Sequence, residues 1–122
     1  MPLFAGGPGE SIMTGDRQRA AILQIIETRS TDPDLSAQLV ARELGVSARY
    51  VHLLLAQTGR SFTQLLLERR LVRAAALLRD PNARDRKIAD ISAEAGFTDL
   101  SYFNRAFRRR FGTTPSALRR AS

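Results

Sequence analysis

The sequence predicts an all-α fold: seven helices forming two helix-turn-helix subdomains of homeodomain-like shape, joined by a long linker helix. Three observations carry that expectation. The first is a duplication. Val40-Ala41-Arg42-Glu43-Leu44-Gly45-Val46-Ser47 and Ile91-Ser92-Ala93-Glu94-Ala95-Gly96-Phe97-Thr98 lie 51 residues apart and share one pattern. A β-branched apolar residue leads, then a small one, two polar or small positions, an apolar or small residue, and glycine. An apolar residue and a hydroxyl follow. Glycine ends a helix because it takes the left-handed backbone conformation at no steric cost. The hydroxyl of Ser47 or Thr98 can cap the exposed amides of the next helix. The small Ala41 or Ser92 lets the two helices cross closely, which completes a helix-turn-helix. The second observation is the capping box Ser61-Phe62-Thr63-Gln64, which opens a long helix between the two copies. The third is apolar spacing at helical period on either side of that helix.

Taken in order, residues 1–15 are rich in Gly and Pro and read as a flexible tail or linker remnant. Residues 16–60 form the first subdomain. Its first helix starts at Asp16, gathers Ala20, Ile22, Leu23, Ile25 and Ile26 on one side, and ends near Arg29. Ser30 to Asp34 make a turn, and Ser36 caps a helix that runs to the Gly45 stop. Ser47 opens the next helix, where Tyr50, Val51, Leu54 and Leu55 recur at helical spacing, and Thr58-Gly59 closes it. Residues 61–79 are the connecting helix, carrying Leu65, Leu66, Leu71, Ala75 and Leu78. At 1.5 Å per residue it spans roughly 28 Å, comparable to one DNA turn of about 34 Å.

Asp80-Pro81-Asn82 breaks that helix, and residues 80–122 form the second subdomain. A helix from about Lys87 to Ala95 meets the Gly96 stop, and another follows from Asp99 to Arg110. Phe103, Phe107 and Phe111 fall four apart and make one aromatic stripe, read as core and not as a platform for stacking bases. Gly112-Thr113-Thr114-Pro115 ends the helix and caps a short last one, with proline at the favoured first position.

Composition narrows the function. The 122 residues suit one domain, or two very small ones sharing an element, and 43% hydrophobic content suffices for a core. Cysteine is absent, which removes disulfides, thiolate zinc sites and cysteine nucleophiles. The first residues lack a basic segment followed by a long apolar run, and arginines interrupt every leucine-rich stretch. No signal peptide and no membrane partner are expected, and the reading is a cytoplasmic protein. Twelve scattered acids, a single His and no phosphate loop leave no catalytic constellation, so neither enzyme nor cofactor nor metal site is expected.

Charge is unevenly placed. Residues 1–60 hold six Arg against six acids, whereas residues 61–122 hold thirteen basic residues against six acids. The whole excess of +7 therefore sits in the second half. Eighteen of the nineteen basic residues are arginine, Lys87 being the exception. Arginine's planar fork suits phosphate and guanine edges, although high-GC genomes enrich arginine as well. A basic half favours a polyanionic partner over a merely solvated surface.

The residues now point to a relative. The doubled helix-turn-helix, the pair Gly96-Phe97 and the run Phe103-Asn104-Arg105-Ala106-Phe107-Arg108-Arg109-Arg110-Phe111-Gly112-Thr113-Thr114-Pro115-Ser116 resemble the AraC/XylS family of bacterial transcription regulators. The resemblance covers about Asp16 to Arg120. It implies a DNA-binding domain, double-stranded promoter or operator DNA as partner, activation through RNA polymerase subunits, and a place in the nucleoid. Family members usually carry an effector-binding or dimerising domain, commonly N-terminal. The chain then reads as the DNA-binding portion of a longer regulator, favoured by its Gly/Pro-rich start, or as a single-domain member. Two reading heads on one strut would let a monomer read an asymmetric site. The competing reading is a helical protein-interaction module that has lost its DNA contacts.

In each motif the second helix should enter the major groove. In the first, Val51, Leu54 and Leu55 face the core, leaving Arg49, His52, Leu53 and Ala56 outward. Arg49 can fork a guanine, and His52 reads as a base or phosphate contact against a bland solvated histidine. Leu53 departs from the family pattern, which often places arginine there, and can touch only a thymine methyl. In the second motif Leu100, Ser101, Asn104 and Arg105 face away from the phenylalanine stripe. The resemblance makes Leu100, Ser101 and Arg105 base-facing, and Asn104 suits adenine or phosphate. Arg108, Arg109, Arg110, Arg119 and Arg120 read as phosphate contacts, with a solvated helix end as the plain alternative. Ser47 and Thr98 sit where helix starts approach phosphates. Arg69 is left open between DNA and an internal ion pair.

Overall fold

The computed structural model describes residues 8–122. Among these it contains seven α-helices, one short 3-10 turn and no strand: α1 Pro8–Arg29, α2 Ala37–Leu44, α3 Ala48–Ala56, α4 Phe62–Arg79, α5 Ile88–Glu94, α6 Leu100–Phe111 and α7 Pro115–Ala121. The 3-10 turn Pro81–Ala83 follows α4, where Asp80 accepts from the Asn82 amide at 2.9 Å and Pro81 cannot extend the helix. The helices expected from periodicity are thus present, with one boundary displaced. Helix α1 begins at Pro8, eight residues before the expected start at Asp16. Proline fits a first helical turn, and Gly15 hides the continuation in the sequence because glycine disfavours helix interiors. The first seven residues of the expected tail lie outside the described residues.

Four of the helices open on hydroxyl caps, whereas α5 follows Lys87 with no side-chain cap. Ser36, Ser47, Ser61 and Thr114 accept hydrogen bonds from the amides of Leu39, Tyr50, Gln64 and Ala117. At Ser61 the capping box is complete, since the Gln64 side chain also accepts from the Ser61 amide at 2.8 Å.

The duplication survives in the hydrogen bonds. The Val46 amide donates to the Ala41 carbonyl at 2.9 Å, and the Phe97 amide donates to the Ser92 carbonyl at 3.1 Å. Both bonds reach back across the glycine in the same pattern, with Gly45 at φ 71° and Gly96 at φ 110°. Ala41 and Ser92 are both 3% exposed, as close helix crossing demands.

Two hydrophobic clusters meet on α4. Ile22, Ile26, Val40, Val51 and Leu55 pack with Phe62 and Leu66 from its first half. Ile91, Ala95, Phe97, Phe103 and Phe107 pack with Leu71, Ala74, Ala75 and Leu78 from its second. The strut is therefore part of both cores, which fixes both helix-turn-helix subdomains to it. Phe103 and Phe107 are fully buried, with ring centroids 5.5 Å apart, and Phe111 is half-buried 4.7 Å beyond. The stripe is core.

Candidate nucleic-acid interface

Helices α3 and α6 bury one side and expose the other. On α3, Val51, Leu54 and Leu55 are buried, while Arg49, His52, Leu53 and Ala56 are exposed. On α6, Phe103, Ala106 and Phe107 are buried, while Leu100, Ser101, Asn104, Arg105 and Arg108 are exposed. Leu53 is 61% and Leu100 42% exposed. Among the described residues no hydrogen bond or ion pair holds the guanidinium groups of Arg49, Arg105, Arg108 or Arg109. These cations remain available to a partner.

One expected cap is corrected. Helix α6 is capped by Asp99, whose Oδ1 accepts from the Tyr102 amide at 3.0 Å, and not by Thr98. Aspartate outranks threonine as a cap, and its charge suits the positive end of the helix. Thr98 is exposed one position earlier. The second turn is therefore one residue longer than the first. Aligned on their caps, the helices pair Arg49 with Ser101, His52 with Asn104, and Leu53 with Arg105. The two heads thus offer different chemistry at matched positions. The first places its arginine two residues past the cap, and the second places it six past.

The other arginines divide between surface and scaffold. Arg110, expected at a phosphate, forks Glu68 on α4 with contacts of 2.7 and 2.9 Å. That bond holds the Glu68 carboxyl below the usual glutamate range. Arg119, also expected at a phosphate, donates to the Arg86 carbonyl. Arg120 is exposed at the end of α7. Arg69 pairs with Glu27 of α1 at 3.8 Å, which answers the question the sequence left open. On the first head, Arg19 of α1 donates to the Leu54 carbonyl at 3.1 Å and to Gln57, tying α3 down. Arg29 forks Glu43 of α2 at 2.6 and 3.1 Å.

Two residues escaped the sequence reading. A groove of about 570 Å³ between the start of α4 and α6 is lined by Arg60, Arg105 and Arg109, together with the Glu68–Arg110 pair. Arg60 immediately precedes the Ser61 cap, but nothing local pairs it with α6. Arg70, midway along α4, donates from Nε to the Ser30 carbonyl and from Nη2 to the Asp32 carbonyl, both at 2.7 Å. Burial lowers its pKa, an effect opposed by Asp32. These contacts span 40 and 38 residues, so no sequence window contains them.

No group of three or more His, Asp or Glu among the described residues is placed to hold a metal ion. None of the described helices is long and apolar enough to cross a membrane.

Comparison with known proteins agrees with this fold. Residues 40–121 match the family model described as a helix-turn-helix domain. The chain is 34% identical over 107 residues to the transcriptional activator RhrA of Rhizobium meliloti, covering 88% of this chain and 34% of that protein. It spans about a third of the length of the curated relatives it matches. Among solved structures, the C-terminal domain of AraT, a response regulator from Geobacillus stearothermophilus, superposes with a TM-score of 0.78 at 30% identity. That match covers 86% of this chain and 85% of the other. A transcriptional regulator from Chromobacterium violaceum, described as AraC-type DNA-binding domain-containing, gives a TM-score of 0.73 at 26% identity, covering 88% and 94%.

Proposed function

This chain belongs to the AraC-type helix-turn-helix family of transcription regulators, and from that premise we propose that it binds double-stranded DNA at two successive major grooves. Helix α3 reads one groove through Arg49, His52 and Leu53. Helix α6 reads the next through Leu100, Ser101, Asn104 and Arg105. Arg108, Arg109 and Arg120, with Ser47 and Thr98, hold phosphates, and Arg60 joins them from the groove beside α6. Arg110 and Arg119 already have partners within the fold and contribute charge more than contact. The observation that carries the reading is the pair of exposed helix faces, each with an unpaired arginine, mounted on one shared strut.

The division of labour follows from chemistry. Arginine forks a guanine through its O6 and N7, whereas an asparagine suits adenine. Phosphate contacts orient the duplex and carry no sequence information. Because it has two heads, the chain binds as a monomer, on a site whose two halves differ. One relative is named a transcriptional activator, and on this reading the bound chain acts at promoters, through RNA polymerase, in the bacterial cytoplasm. Gel shifts in graded salt test the premise. Log affinity for DNA should fall linearly with log salt, because neutralised phosphates release counterions. Salt-independent retention, or no retention of DNA, contradicts it.

A further inference from the structure

We propose that Arg70 is a positioning residue, setting the geometry between the two recognition helices and so the half-site spacing that one molecule can occupy. The inference rests on the two-headed reading above and adds what sets its ruler.

Arg70 stands on α4 between the two cores, four residues past Leu66 and directly before Leu71. Its fork takes two carbonyls of the turn that follows α1, Ser30 and Asp32, at 2.7 Å each. Ser30 is 7% exposed, so its carbonyl needs an internal donor. That carbonyl also lies at the end of α1, where the helix dipole favours a cation. The turn of the second motif closes on the same point. A Cβ added to Gly96 would lie 2.6 Å from the Ser30 oxygen and 2.7 Å from the Arg70 Nε. Three residues later Asp99 caps α6.

The end of α1, the middle of α4 and the lead-in to α6 therefore meet on one guanidinium. The end of α1 belongs to the head that carries α3, the lead-in to α6 to the other, and α4 to both cores. A groove of about 410 Å³ lies between the heads at this place, lined by Arg70, His52, Phe97 and Tyr102 among others. The heads are also joined through α4, which packs into both cores. Lysine cannot replace the fork, since its ammonium is a point charge without arginine's planar pair of donors.

Linked heads gain affinity only when their geometry allows both to engage at once. Loosening the joint should therefore spare each half-site and weaken the pair. The test uses Arg70→Met and Arg70→Lys on the full chain, measured on each half-site alone and on two-half-site DNA of varied spacing. Each variant should keep its helical circular dichroism and bind single half-sites as the parent does. Each should lose about tenfold on the joined site and tolerate a wider range of spacings. Because the chain has no cysteine, spin labels at Ala56→Cys and Arg108→Cys report the distance between α3 and α6. That distribution should broaden in both variants.

Unchanged spacing preference with an unchanged label distance overturns the proposal. So does an equal loss on single and joined sites, or a Lys variant that melts together with half-site binding, since either marks Arg70 as general scaffold. If the parent chain itself binds only one half-site, the two-headed reading fails first, and the variants are not needed to show it.

Discussion

Leu53 and Arg105 occupy the same place on their helices, six residues past the cap, and differ in what they can offer a base pair. The guanidinium of Arg105 is exposed and unpaired, so its removal should be felt at one base. On the proposed reading Arg105→Ala costs about 1–3 kcal/mol on the specific site and flattens preference at a single base pair. Competition gel shifts against single-base variants measure this, and an equal loss on every sequence would make Arg105 a phosphate contact. Arg109→Ala should instead weaken all sequences alike and reduce the salt slope by about one. A sequence-selective loss there would contradict the assignment. Most of these exposures were legible, because the 3.6-residue period separates Val51, Leu54 and Phe103 from their outward neighbours without tertiary information. The α6 cap was not. Thr98 and Asp99 both carry acceptor oxygens at the right distance from Gly96, and only the folded backbone chooses between them.

Helices α4 and α6 show how charge and packing share the work of holding a reading head. Phe107 is fully buried between Phe103 and Phe111, so Phe107→Ala should destabilise the fold by about 3–5 kcal/mol in denaturant titration. A loss much below that range would mean the stripe collapses around the cavity. The Glu68–Arg110 fork acts across the same pair of helices. Its hydrogen bond from Arg110 lowers the Glu68 pKa from the ordinary 4.5. A carboxyl held low contributes stability that is present above its unfolded value and lost as pH falls through the folded one. The unfolding midpoint of the parent should therefore exceed that of Glu68→Gln at pH 7, and the gap should close in acid below 4.5. A gap independent of pH would show that the pair contributes through shape alone. These links were hidden in the sequence, since Glu68 and Arg110 lie 42 residues apart. The early start of α1 was hidden for the opposite reason, a local signal (Gly15) that points away from helix.

At the scale of the whole molecule, the two cores and the shared strut were readable from the repeat, the capping box and the apolar spacing. The joint that sets the angle between the heads was not, because backbone carbonyls leave no mark on a sequence. On the proposed reading, that angle turns two small motifs into one reader of a long, asymmetric site. Selection of bound sites from random DNA tests this most directly. Recovered sequences should contain two unequal half-sites about 10 base pairs apart on the same face of the duplex, bound by one chain. A single half-site, or a palindrome occupied by two chains, would contradict it.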